Sequence, residues 1–249
     1  MNTVVPEKCH YFPQPPSFFV PPRLDKQELL DLGVGSIQDV QANFADLWRI
    51  NYFLGGMSAL THHLYPRIIN QRKPSTVVDV GAGSADIITA VAHWARQHNT
   101  DLKLFGLDLS SRHLGIARLK HPPEPTISLI QADALDLPFQ AGQVDYFISC
   151  LFLHHLSPKQ AIDFLARTFA SARRGIIMSD IVRGRLPFIG FKLSQPIFAR
   201  SFLTRYDGAA SIRRAYTPDE LRQLAQSAGL SKARVYQHFP WRMTLVAEK

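Results

Sequence analysis

The 249-residue chain is poor in cysteine, in long apolar runs and in blocks of like charge, and each shortage excludes a class of protein. The two cysteines, Cys9 and Cys150, give neither a disulfide framework nor a metal-ligand spacing, so no metal is expected. The longest apolar stretch, Val144 to Leu156, is broken by Asp145, Ser149, His154 and His155. It falls short of the ~20 residues a spanning helix needs. Met1 to Lys8 lack the basic start, apolar run and small-residue cleavage site of a secretory signal, so a cytoplasmic location is the expectation. The net charge of +8 is spread along the chain rather than gathered into a basic block, which argues for a solvated surface over a nucleic-acid footprint. Against these shortages, 46% of residues are apolar and 19% charged, the composition of a globular chain with a substantial core. At ~150 residues per domain, the length fits one large α/β domain with a modest helical addition.

Three parts are expected. Residues 1–24, with Pro6, Pro13, Pro15, Pro16, Pro21 and Pro22, form a Pro-rich extended tail pinned by Tyr11, Phe12, Phe18 and Phe19. Residues 25–72 form a helical N-terminal cap, with Val40, Phe44, Leu47 and Trp48 at three- and four-residue spacing and an interruption at Gly55 and Gly56. From residue 73 to 249 the period switches repeatedly between strand and helix. Strands are expected at 76–80, 102–108, 127–131, 144–150 and 174–180, with helices between them, the rhythm of a doubly wound parallel sheet. Thr217, Pro218 and Glu220 supply a cap, an N1 proline and a capping-box acid for a last helix. Two closing strands, 231–237 and 241–247, complete a seven-stranded sheet with a C-terminal antiparallel hairpin. Residues 181–216 break the rhythm, and their aromatic content predicts a packed substrate cap.

The chemistry gathers at strand ends. Val77-Val78-Asp79-Val80-Gly81-Ala82-Gly83-Ser84-Ala85-Asp86 runs a strand into a Gly-rich turn and a helix, the place where open α/β sheets bind ligands. A dinucleotide fingerprint requires a third Gly or Ala where Asp86 stands, and Asp79 would repel a pyrophosphate. A ligand carrying a sulfonium and an ammonium group, such as S-adenosylmethionine (SAM), would instead be attracted by Asp79. Asp108, ending the second strand, either accepts from ribose hydroxyls or caps the following helix. Asp133, after the third strand, either accepts from an adenine amino group or closes a surface turn.

Together with Leu153-His154-His155-Leu156 after the fourth strand, these motifs resemble the class I SAM-dependent methyltransferases from Thr76 to Lys249. The resemblance is to the small-molecule branch that includes ubiquinone/menaquinone-biosynthesis enzymes. It implies a Rossmann-like sheet, SAM as cofactor, Asp79, Gly81 and Gly83 at the methionine end, Asp108 at the ribose and Asp133 with Ala134 at the adenine. Ala82, Leu109 and Cys150 complete the expected cofactor contacts. The segment Arg49 to Gly56 is similar to one in bacterial methyltransferases that accompany type III polyketide synthases, which implies a phenolic or polyketide acceptor methylated on a hydroxyl.

A phenol needs a base, and His154 and His155 stand at the right strand end; the plainer reading makes them helix caps or core residues. Arg205, Arg213, Arg214 and Tyr216 of the cap are candidates to hold the acceptor, against simple solvation of the arginines. The alternatives are C-methylation of a quinone or polyprenyl-type ring, a nucleic-acid methyltransferase, and a non-catalytic SAM-binding protein. Ser149-Cys150-Leu151-Phe152 stand where an amino-directed nucleic-acid enzyme carries Asn/Asp-Pro-Pro-aromatic, and the Pro-Cys of a cysteine-nucleophile RNA enzyme is absent. The oligomeric state is left open.

Overall fold

The structure, a computed structural model, describes residues 19–69, 71, 73–121 and 127–249. Most of the Pro-rich tail, with Cys9, Tyr11, Phe12 and Phe18, lies outside the described residues. Strands β1 (Ser75–Val80), β2 (Leu102–Asp108), β3 (Ile127–Gln131), β4 (Val144–Cys150), β5 (Ala172–Ile181), β6 (Arg234–His238) and β7 (Arg242–Glu248) form one sheet of order β3-β2-β1-β4-β5-β7-β6. The first five run parallel, while β7 pairs antiparallel with both β5 and β6. This is the Rossmann-like sheet with its closing hairpin. The strand order reverses between β1 and β4, so the carboxyl ends of these two strands open a crevice.

Side-chain alternation along the strands feeds two cores. Val77, Tyr146 and Ile148 pack against α2 (Gly56–Ile68) and α3 (Asp86–Gln97), which contribute Leu60, Leu64, Ile88 and Val91. Val78, Phe147 and Met178 face α5 (Pro158–Ser171) and α8 (Pro218–Ser227), which contribute Phe164, Leu165, Leu221 and Leu224. Each such side chain, removed from water, contributes roughly 1.5–3 kcal/mol. Between α3 and α5 the chain forms α4 (Ser111–Lys120), capped by Ser110, whose side chain accepts from the His113 amide. The Thr217–Glu220 capping box starts α8 as its sequence requires, and Ser157 with Gln160 does the same for α5.

The helical cap departs from its expected bounds. Residues 25–36 form turns and irregular chain, and α1 (Ile37–Phe53) begins only where Ser36 and Asp39 make a reciprocal capping box. The apolar spacing before Ser36 reflects burial of single side chains such as Leu29 and Leu30 against a neighbouring core, not a helix. Residues 181–216, expected to pack as a substrate cap, hold the helices α6 (Arg185–Phe198) and α7 (Phe202–Arg214). Their hinges are tied by Arg183, which donates to the carbonyls of Pro21 and Ala215 and pairs with Glu220. The closing strands begin later than expected, at Arg234 and Arg242. No helix among the described residues is long and apolar enough to cross a membrane.

Candidate active site

The crevice at the β1/β4 switch is a cleft of about 710 Å³, and all the sequence-selected cofactor residues line it: Asp79, Gly81, Ala82, Gly83, Asp108, Leu109, Asp133, Ala134 and Cys150. Gly81 and Gly83 adopt φ of +76° and +54°, a region that side chains disfavour. A Cβ on Gly81 would also lie 2.5 Å from the Phe152 ring, and one on Gly83 2.8 Å from Phe44. The turn therefore leaves bare backbone facing the cleft. The Gly81 and Ala82 amides donate to the Leu107 carbonyl, and the Gly83 amide donates to Asp108 at 2.8 Å.

The charges of this cleft are uneven. Asp79 is buried, and its Oδ2 has no partner among the described residues. Burial, reinforced by the nearby Asp108 carboxylate, pushes Asp79 up to about 8. A cation brought to this point would restore the ionised form. Asp108 accepts from the Gly83 and Ser110 amides and faces His113 Nδ1 at 3.2 Å, so it shapes the turn whatever else it holds. Asp133 accepts from the Leu135 amide at 2.8 Å, closing the turn at the cleft wall. Asp86, which replaces the dinucleotide glycine, is bound by Lys120 at 2.6 Å and accepts from Ser84. The Cys150 thiol is pushed up to about 12 by burial and so is no nucleophile.

A second cavity, of about 180 Å³, adjoins the first. α1 contributes Leu47 and Ile50, α6 contributes Pro187 and Phe191, α7 contributes Gly208 and Ile212, and Trp241 closes one side. Leu30, Leu47, Leu151 and His155 line both cavities, so they form the passage between them. Leu151 is held at φ +58°, a conformation that costs a non-glycine residue on the order of 1–3 kcal/mol. It sits directly after β4, at the junction.

Among the catalytic candidates, His154 is buried at the second cavity. Its Nδ1 lies 2.8 Å from Asp180 Oδ1, and its Nε2 lies 3.5 Å from Glu28 Oε1. Burial opposes its charge, but Asp180 and Glu28 outweigh that effect and push it up to about 9. His155 is partly exposed at the junction, with Nδ1 3.0 Å from Asp31 Oδ2. The structure brings both histidines to the second cavity, each tied to a carboxylate.

The proposed acceptor clamp is not assembled. Arg205 is exposed and donates to the Ala199 carbonyl, capping the end of α6. Arg213 is exposed and lines neither cavity. Tyr216 is fully buried, its hydroxyl donating to the Leu156 carbonyl at 2.7 Å, and it too lines neither cavity. Arg214 alone of the four reaches a cavity wall, where it pairs with Asp31 at 3.1 Å. In its place the structure offers Arg242, the first residue of β7: buried, lining the second cavity, donating through Nε to the Leu54 carbonyl. Its Nη1 has no partner among the described residues. Glu28, Asn43 and Asp207 join it as polar groups of this cavity that sequence reading passed over. No motif marks them, because each stands alone in the sequence and meets the others only after α1, α7 and the hairpin have packed.

The sheet, the Gly-rich turn and the acids at successive strand ends are similar to those of SAM-dependent methyltransferases, and residues 77–175 match the family model described as a methyltransferase domain. SAM is the cofactor of that class, and the orphaned Asp79 carboxylate beside a bare-backbone turn suits its ammonium group. The chain is 30% identical over 121 residues to the ajmaline N-methyltransferase of Rauvolfia serpentina, covering 47% of this chain and 40% of that protein. It is 31% identical over 110 residues to the tRNA (carboxymethyluridine(34)-5-O)-methyltransferase of Xenopus tropicalis, covering 43% of this chain and 15% of that protein. The chain thus spans less than half the length of either relative. Among solved structures, human N-acetylserotonin methyltransferase with SAM aligns at TM-score 0.59 and 16% identity, over 90% of this chain and 62% of that one. The magnesium protoporphyrin IX methyltransferase of Synechocystis PCC 6803 with S-adenosylhomocysteine aligns at 0.54 and 17%, over 91% and 90%. At such identities these two establish the fold.

Proposed function

We propose that this chain is a methyltransferase that moves a methyl group from SAM to a hydroxyl of a small, largely apolar acceptor of phenolic or polyketide type. The observation that carries this reading is the pair of joined cavities: a cleft with an unpaired carboxylate and bare Gly-rich backbone, opening past Leu151 and His155 into an aliphatic and aromatic pocket. When bound, SAM supplies a sulfonium-activated methyl group. The protein then has to hold an oxygen in line with it and remove that oxygen's proton. His155 stands where both tasks meet, and Asp31 on its Nδ1 fixes the ring so that Nε2 is the accepting nitrogen. Arg242 Nη1 is the group placed to receive an oxygen of the acceptor. Asp79 holds the cofactor's ammonium, Asp108 its ribose and Asp133 with Ala134 its adenine; Gly81, Ala82, Gly83, Leu109 and Cys150 form the surrounding wall.

The two sequence relatives differ in acceptor, one being named for ajmaline and the other for a tRNA, so likeness alone does not choose. The pocket does: walled by α1, α6 and α7, it suits a small molecule better than a polymer. Calorimetric titration with SAM, S-adenosylhomocysteine and NAD, followed by methyl transfer from labelled SAM to a panel of phenols, tests the reading. Micromolar binding of the first two and turnover on a phenol are expected. Binding without turnover on any hydroxyl, carbon or nitrogen acceptor would leave a SAM-binding protein, and NAD binding alone would overturn the site.

A further inference from the structure

Glu28, His154 and His155 meet at the floor of the acceptor pocket although they are far apart in the chain, and one ligand atom from each lies within 4.8 Å of the others. Both imidazoles turn Nε2 toward the same carboxylate, at 3.5 Å from Glu28 Oε1 for His154 and 4.0 Å from Oε2 for His155. Each has its other nitrogen engaged by a separate carboxylate, Asp180 at 2.8 Å and Asp31 at 3.0 Å. A carboxylate only accepts, so Nδ1 of each ring carries its proton and Nε2 is the atom that faces the Glu28 oxygens. Against the effect of burial, Asp180 and Glu28 together favour the charged His154 ring, so in the free chain a proton on Nε2 stands between that ring and Glu28, and a metal ion would take that proton's place.

At 3.5 and 4.0 Å both gaps exceed the roughly 2.7–3.2 Å of a well-formed N–H···O bond, which leaves room for a larger cation. A metal ion fits better: bonds of about 2.1 Å in a tetrahedral site put neighbouring ligand atoms about 3.4 Å apart. A carboxylate behind each ligating imidazole is also the arrangement that orients histidines in metal sites. Glu28, Asp31 and Asp180 face the two imidazoles and the Arg214 guanidinium, whose Nη1 is 3.8 Å from Glu28 Oε1, while Arg23 donates to the His154 carbonyl and Arg242 lines the same cavity. Ser211 donates to Glu28 Oε1 at 2.8 Å and holds the carboxylate in place.

We propose that Glu28 and the Nε2 atoms of His154 and His155 form a binding site for a divalent transition cation of the zinc or cobalt type, with Asp180 and Asp31 as the carboxylates that orient the two rings. The site stands on its own geometry and not on the acceptor proposed above, though an ion there would occupy the His155 nitrogen that proton removal uses.

The test is a titration of the tag-free full-length chain with cobalt(II), followed by visible absorption and by calorimetry in two buffers of different ionisation enthalpy. The expected result is a single saturable site with the absorption of histidine-ligated cobalt, and an observed enthalpy that differs between the two buffers because protons are released. H155A and E28Q should each lose at least tenfold in affinity, and D31N, which leaves all three ligands in place, about 10–100-fold. Absence of saturable binding, or equal binding by wild type, H155A and E28Q, would overturn the proposal. S-adenosylhomocysteine titrated into the same samples reports on folding and on the cofactor cleft separately, so a failed cobalt titration does not bear on the methyltransferase reading.

Discussion

The two cavities of this molecule are built in opposite ways. The cofactor cleft comes from neighbouring strand ends, each carrying its own short motif, and the β1/β2 register places Asp79 beside Gly106, close to Asp108. The acceptor pocket comes from distant segments stitched by single polar contacts. Asp207 of α7 accepts from the Leu29 and Leu30 amides, Asn43 of α1 donates to Thr204, and Asp46 accepts from the Ser201 amide. One cavity rests on the backbone geometry of neighbouring strand ends, while the other rests mostly on side chains drawn from segments outside the sheet. Cofactor binding and acceptor choice are thereby separable.

The sharpest way to break that separation is His155→Gln. If His155 is the base, turnover should fall by about 10²–10⁴ with cofactor affinity nearly unchanged, measured as kcat beside S-adenosylhomocysteine titration. Equal loss of both would mean the two cavities act as one unit. Asp79→Asn is the mirror experiment. Removing one partner of a buried charge pair should cost about 2–5 kcal/mol of cofactor affinity.

The proton linkage of Asp79 adds a sign to the same comparison. Its pKa is raised from 3.8 to about 8 in the folded chain, so between those values the folded state holds a proton that the unfolded state has lost. Stability of the free chain should therefore decline as pH rises through this window, and cofactor affinity should climb toward pH 8 as less proton must be displaced. Asp79→Asn should flatten both slopes, read by denaturant unfolding and by calorimetry across pH. A slope that survives the substitution would assign the linkage to another group.

Arg242→Met is expected to act on the acceptor alone, raising KM by about tenfold or more as one charge-assisted hydrogen bond of roughly 1.5–3 kcal/mol is lost. An unchanged KM would remove Arg242 from the pocket's chemistry. The smallest effect belongs to Arg205→Ala and Arg213→Ala, exposed side chains that line neither cavity and should shift stability and KM within about 0.5 kcal/mol. A large rise in KM for either would revive the clamp that the sequence pointed to and that the packing disperses.

The sequence determined the alternation of strands and helices, the Gly-rich turn and the acids at successive strand ends, because hydrophobic period, glycine conformation and capping are local properties readable within a few residues. It also placed His154 and His155 at the acceptor side, since the end of β4 is fixed by the same period. Tertiary structure alone decided which residues line the second cavity. Packing buried Tyr216, left Arg205 and Arg213 in solvent, and drew in Glu28, Asn43 and Arg242 from segments that carry no motif. Such a pocket is defined by the distances between folded elements, and those distances are set only when the helices of the cap have packed against the sheet and against one another.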